Sequence, residues 1–237
     1  MKTAELFLAD CRSLQPEDLE CFFLQLSKKR KAEIEGYRSL ERRRSALCTE
    51  RLLEIVAERM EPENKGQFET VRQENRKLTI KNFSFCLSNS SDSGFAAVLI
   101  TEKEAGMDLM KVRRAEPQMI ERICSAKQKE WIFKADEDPQ NREERLSPAV
   151  SLRFFQLWTL VEAAYKAQSF EERDSCRSFV LEDLMCSIWF PGSAEQYHLR
   201  FWSVDLKEKT VKEKTDKWRE QAFPQALQSE LYFEKLV

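Results

Sequence analysis

Glycine and proline are scarce in this chain, at five and seven of 237 residues. So thin a supply of chain breakers excludes a loop-dominated scaffold and favours long helices. No apolar run approaches the ~20 residues that a membrane-spanning helix needs. Near the start, Leu6-Phe7-Leu8-Ala9 is too short for the core of a secretion leader, and Asp10 interrupts it. The expectation is therefore a cytoplasmic chain with no membrane contact. Only one histidine occurs, His198, and none of the seven cysteines forms a C-x-x-C pair. That argues against a zinc site and for reduced, mostly buried thiols. Low-complexity segments and internal repeats are also missing.

What is present is a globular composition, 42% hydrophobic and 34% charged. The net charge is −2, but the sign is uneven. Lys28-Lys29-Arg30-Lys31 and Arg42-Arg43-Arg44 concentrate positive charge in the first quarter. Such runs suit phosphate groups, and equally suit a solvated helix face. A nucleic-acid contact is disfavoured, because no aromatic platform is interleaved with the basic residues.

Pattern along the chain alternates between helical and extended. Thr3 to Ala9 reads as a strand. Pro16-Glu17-Asp18 opens a helix bearing Leu19, Phe22, Phe23 and Leu26. Ser27 and Ser39 are placed to cap a second helix to about Tyr37 and a third that stops at Glu61-Pro62. Residues 82–101 read as a hairpin, with Ser88 to Gly94 as its turn. Gly106 leads into a short strand at Met107 to Leu109. Helical pattern returns at Glu116 to Cys124 and after Ser125, and residues 136–144 read as a polar loop. Ser147-Pro148 starts the clearest helix, to about Gln168, whose stripe Val150, Phe154, Leu157, Val161 and Ala164 should face a core. Strands are expected at Phe179 to Phe190, Tyr197 to Val204 and Glu230 to Lys235, and a polar helix at Thr215 to Gln221. The fold class read from this order is α+β, with two similar lobes, each of helices packed on a small antiparallel sheet. The boundaries are 1–105 for an N-terminal lobe and 106–237 for a C-terminal lobe carrying Asp108 and Glu162.

Two carboxylates attract attention. Glu162 lies one turn from Trp158, whose ring would desolvate it and raise its pKa, making it a better proton acceptor. By spacing it is equally an ordinary i, i+4 ion-pair partner of Lys166. Asp108, at the end of a strand, is placed either to present a metal ligand or to bond to its own backbone in a turn.

These segments together resemble the 4′-phosphopantetheinyl transferase superfamily, in its larger pseudo-dimeric, Sfp-type branch. The family's W-[ST]-x-K-E-[AS]-x-x-K signature is similar to Trp158-Thr159-Leu160-Val161-Glu162-Ala163-Ala164-Tyr165-Lys166. G-[IV]-D-[IL]-E is similar to Gly106-Met107-Asp108-Leu109-Met110, and F-N-[IL]-S-H-S to Phe85-Cys86-Leu87-Ser88-Asn89-Ser90. Ile120 to Ser125 and Arg44-Ser45-Ala46-Leu47 resemble two further family segments, in the same order.

The resemblance implies coenzyme A as co-substrate, Mg²⁺, and transfer of the phosphopantetheine arm to a serine of an acyl or peptidyl carrier protein, releasing 3′,5′-ADP. Asp108 and Glu162 would be the metal ligands, and Asp108, Glu162 and Lys166 the catalytic group. Lys29, Arg44, Arg76, Ser88, Asn89 and Lys166 would contact the cofactor. A two-lobed chain would complete its own site as a monomer. Four positions depart from the family pattern. Met110 stands where a third carboxylate is usual, Val161 replaces a lysine, Asn89 a histidine, and Ser169 a glycine at the helix end. Met110, Val161 and Asn89 together motivate the alternative of a homologue that binds coenzyme A or a carrier without turnover.

Overall fold

The computed structural model describes residues 2–66, 68–72, 78–135, 146–168, 174–224 and 227. It divides into two compact units, Met1–Glu104 with Glu195–Lys217, and Ala105–Ala194 with the chain from Trp218 on. The fold class is α+β.

In the first unit, strand β1 (Lys2–Asp10) is buried on both faces, as its apolar run demands. It is followed by helices α1 (Pro16–Leu24), α2 (Lys28–Glu35) and α3 (Leu40–Met60). The serines expected as caps serve as such: Ser27 Oγ accepts the N–H of Arg30, and Ser39 Oγ that of Arg42. Next come a short hairpin, β2 (Thr70–Arg72) and β3 (Leu78–Ile80), and a longer one, β4 (Cys86–Asp92) and β5 (Phe95–Thr101). Helix α3 packs on β5, burying Leu52, Leu53 and Val56 against Phe7, Val98, Ile100 and Trp202.

Three sequence expectations change here. The polar run Ser88–Asp92 is strand rather than turn. It pairs in register with Phe95–Leu99 at the edge of the sheet, where polar side chains are tolerated. The turn is only Ser93-Gly94, both left-handed (φ 50° and 82°), the geometry of a tight two-residue hairpin. The sheet, ordered β10-β9-β1-β5-β4, is not wholly antiparallel, because β9 (Tyr197–Asp205) runs parallel to β1. That pairing, extended by β10 (Thr210–Glu213), draws residues 195–217 into the first unit, so one cut at 105/106 does not describe the packing.

The second unit holds β6 (Gly106–Lys111), α4 (Pro117–Ile123), α5 (Ala126–Phe133), α6 (Pro148–Ala167), β7 (Ser175–Leu181), β8 (Leu184–Phe190) and β11 (Arg219–Gln221). Its sheet, β11-β7-β8-β6, is antiparallel throughout. Residues 179–190, expected as one strand, are parts of two. Glu182-Asp183 turns the chain, with Glu182 at φ 54°. The polar helix expected at 215–221 is a single 3-10 turn, Thr215–Lys217, followed by β11. The strand expected at 230–235, the polar loop at 136–144 and Ser169 lie outside the described residues.

Ser125 and Gln128 form a reciprocal capping box on α5, and Ser147 caps α6. Val150, Phe154, Leu157 and Ala164 of α6 are buried as expected, whereas Val161 is only partly buried, at the margin of that core. The helix ends at Gln168, which itself takes the left-handed conformation (φ 54°). Among the described residues all seven cysteines are free thiols, four of them buried. No helix there is long and apolar enough to cross a membrane.

Candidate functional site

Helix α6 lies directly on β6, and Gly106 makes the approach possible. A Cβ at that position would stand 1.7 Å from the carbonyl oxygen of Ala163 and 2.6 Å from the amide nitrogen of Ala167. Only glycine fits under a helix backbone so close. Small residues line the other side of the contact, Ala163, Ala164 and Ala167, all buried. The glycine of the Gly106-Met107-Asp108 segment is thus a packing requirement.

This contact sets α6 over the far side of β6. Lys166 Nζ donates to Asp108 Oδ1 at 2.7 Å and to the carbonyl of Met107 at 3.2 Å. Asp108 is buried, while the Lys166 side chain keeps 29% of its surface exposed. Glu162, half-buried one turn earlier on α6, makes no hydrogen bond or ion pair among the described residues. The i, i+4 ion pair that spacing allows between Glu162 and Lys166 does not form, because Lys166 reaches across to the strand instead. Burial first, and then the negative charge of Asp108, push the Glu162 carboxyl above the usual carboxylate range, with Lys166 opposing. Asp108 and Glu162 thus act on one another electrostatically, with the Lys166 ammonium held against Asp108.

A row of buried hydroxyls fixes α6 against the sheet. Ser178, Ser187 and Asp108 are Cα partners across β7, β8 and β6. Thr159 Oγ1 and Ser187 Oγ are 2.6 Å apart, and Ser187 Oγ and Ser178 Oγ 3.0 Å, with all three residues essentially inaccessible. Thr159 also donates back to the carbonyls of Phe155 and Gln156. Thr159 stands out in the sequence as part of the Trp158–Lys166 segment, and Ser187 is marked more faintly. Its signal was a lone serine in the otherwise apolar run Leu184-Met185-Cys186-Ser187-Ile188-Trp189-Phe190. Thr159→Val, equal in shape but without the hydroxyl, is expected to cost about 1 kcal/mol in urea unfolding, with Thr159→Ser costing less.

The other expected residues lie in the first unit. Lys29 on α2 is exposed and has no ion pair among the described residues. Arg44, on the first turns of α3, spends one nitrogen on the β1–α1 turn, donating from Nη2 to the carbonyls of Cys11 at 2.6 Å and Leu14 at 2.9 Å. Ser88 is buried and Asn89 half-buried on β4. Arg76 lies outside the described residues.

The donor set of the second unit suits a small hard cation. Asp108 and Glu162 supply carboxylate oxygen, and among the described residues no group of three or more histidine, cysteine, aspartate or glutamate side chains could hold a metal. Mg²⁺ commonly takes one or two carboxylates and completes its shell with water and phosphate oxygens, so two suffice. Residues 104–209 match the family model of the 4′-phosphopantetheinyl transferase superfamily, a stretch that contains Asp108, Glu162 and Lys166. No curated protein matches the chain.

Proposed function

We propose that this chain is a Mg²⁺-dependent, Sfp-type 4′-phosphopantetheinyl transferase that moves the arm of coenzyme A to a serine of an acyl or peptidyl carrier protein. The observation that carries the reading is the carboxylate of Glu162, without a hydrogen bond or ion pair among the described residues and within electrostatic reach of Asp108, inside the stretch that matches the superfamily. Asp108 and Glu162 would hold the metal, which when bound would neutralise charge on the cofactor's diphosphate.

The chain's own side chains supply the rest. Lys166 fixes Asp108 through Oδ1 and brings a cation to the phosphates. Glu162 takes the proton of the incoming serine hydroxyl. The serine oxygen then bonds to the phosphorus carrying the pantetheine arm, and the phosphorus–oxygen bond to 3′,5′-ADP breaks, with the electron pair leaving on the nucleotide. Lys29, Arg44, Arg76, Ser88 and Asn89 are the remaining proposed contacts to the cofactor. The reading also includes a monomer working in the cytoplasm.

Incubation with coenzyme A, Mg²⁺ and apo carrier proteins from the same source tests this by mass spectrometry. The expected result is a carrier heavier by one phosphopantetheine, with 3′,5′-ADP released in equal amount. Binding of coenzyme A without a mass gain on any carrier would replace the transferase by a binding protein. Failure to bind coenzyme A at all would overturn both.

A further inference from the structure

Helix α2 carries the densest positive charge in the chain, yet it has almost nothing apolar with which to dock. Of Lys28-Lys29-Arg30-Lys31-Ala32-Glu33-Ile34-Glu35, only Arg30 and Ile34 are buried. One aliphatic side chain is a weak anchor for an eight-residue helix. Arg43 of α3 holds the end of α2 by donating to the carbonyls of Glu35 at 2.8 Å and Tyr37 at 2.7 Å, and the start of the helix is placed by what Arg30 meets.

Arg30 meets Glu50 of α3. Nε of Arg30 donates to Glu50 Oε1 at 2.5 Å, and both residues are at least nine-tenths buried. The second oxygen, Oε2, accepts from Thr70 Oγ1 of β2, also at 2.5 Å. A further nitrogen of Arg30 pairs with Glu33 on its own helix. Glu50 thus uses one oxygen for α2 and the other for β2, and it stands on the same helix as Arg44. Lys29, next to Arg30, lines a crevice shared with Ser27, Arg30, Glu33, Glu69, Thr70 and Val71.

We infer that Glu50 is a positioning residue for the phosphate-binding cations of the first unit: through Arg30 it holds α2, and so Lys29, at a fixed place relative to Arg44 on α3. This rests on the proposed function, in which Lys29 and Arg44 contact the phosphates of coenzyme A. Glu50 itself touches no cofactor. Nothing in the local sequence marks it, because its partner is twenty positions away and its neighbours are those of an ordinary amphipathic helix.

Calorimetry with coenzyme A separates the outcomes. Wild type is expected to bind, and Glu50→Gln, which removes the charge but keeps the shape, to bind about tenfold more weakly, a difference of ~1.4 kcal/mol. Transfer by that variant should show a raised KM for coenzyme A at unchanged kcat. Amide exchange should quicken in residues 28–35 ahead of the rest of the unit. Thr70→Val, a milder change that leaves Arg30 in place, should fall between the two. In a Lys29→Ala background, Glu50→Gln should cost little further affinity, since its effect runs through Lys29.

Val56→Ala, a core truncation on the same helix, supplies the comparison: it should lower Tm without moving the affinity. Full additivity of Glu50→Gln with Lys29→Ala, or an equal loss of affinity in Val56→Ala, would overturn the positioning role. So would wild-type affinity in Glu50→Gln. Wild type that fails to bind coenzyme A would instead overturn the proposed function, and this inference with it.

Discussion

Gly106→Ala is expected to destabilise the protein by about 3 kcal/mol or more, the upper end of what overpacking costs. In thermal unfolding this corresponds to a loss of roughly 6–12 °C. The reason is the identity of the atoms met. A new methyl would stand 1.7 Å from a helix carbonyl and 2.6 Å from a helix amide, and neither can rotate away. Relief requires the whole of α6 to lift from β6, and that motion carries Glu162 and Lys166 off Asp108. On the proposed function, coenzyme A-dependent transfer should therefore fall with stability and stay low at temperatures where the variant is still folded. A compensating Ala163→Gly should not rescue it, because the obstruction is the carbonyl of residue 163 and not its Cβ. The double variant should be less stable still, by about 1 kcal/mol for glycine inside a helix. Rescue by Ala163→Gly would show that α6 sits farther from β6 than the geometry described here.

Local chemistry explains how much of this was legible beforehand. Ser27, Ser39, Ser125 and Ser147 announce four helices, and each accepts the N–H three residues on, because a capping hydroxyl needs no tertiary partner. The β4–β5 hairpin was readable from its apolar second strand, but its length was not. Ser88 to Asp92 look like a turn in composition, and only their place on a sheet edge makes them strand. Parallel pairing of β9 with β1 joins residues nearly two hundred positions apart, and no local signal encodes it.

The candidate site divides in the same way. The family resemblance grouped Asp108, Glu162 and Lys166, whereas helical arithmetic paired Lys166 with Glu162. The structure gives Lys166 to Asp108, since a long flexible side chain beside a strand finds the more deeply buried carboxylate. Glu50 was invisible for a related reason, and Ser187 was marked only as a lone serine in an apolar run. A buried polar residue is recognised by its partners, and those arrive from other elements.

That exchange of partners leads to the other large effect. Lys166→Met keeps the stem but removes the ammonium that pairs with buried Asp108 and offsets the burial of Glu162. A cost of about 1.5–3 kcal/mol at neutral pH is expected, the range for hydrogen bonds to charged groups, held to that range because Lys166 is partly exposed. The pH dependence gives the sign. Glu162 has its folded-state pKa raised, so it holds its proton more tightly in the folded chain than in the unfolded one. Its ionisation therefore opposes folding, and stability is lost as pH rises from about 4.3, where an unfolded-chain glutamate titrates, through the folded-state value. Removing Lys166 raises that folded-state value further, so Lys166→Met should lose more stability than wild type across this window. Asp108→Asn removes the second cause of the shift, so the loss across the same window should shrink. Urea unfolding of the three proteins at pH 4 to 8 measures it. Transfer should fall in both variants, by about 10²–10³-fold if the loss matches that of one preorganised electrostatic contact at a reacting centre. Equal pH slopes in wild type, Lys166→Met and Asp108→Asn would mean that Glu162 does not feel its two neighbours, and the proposed metal site would lose its electrostatic basis.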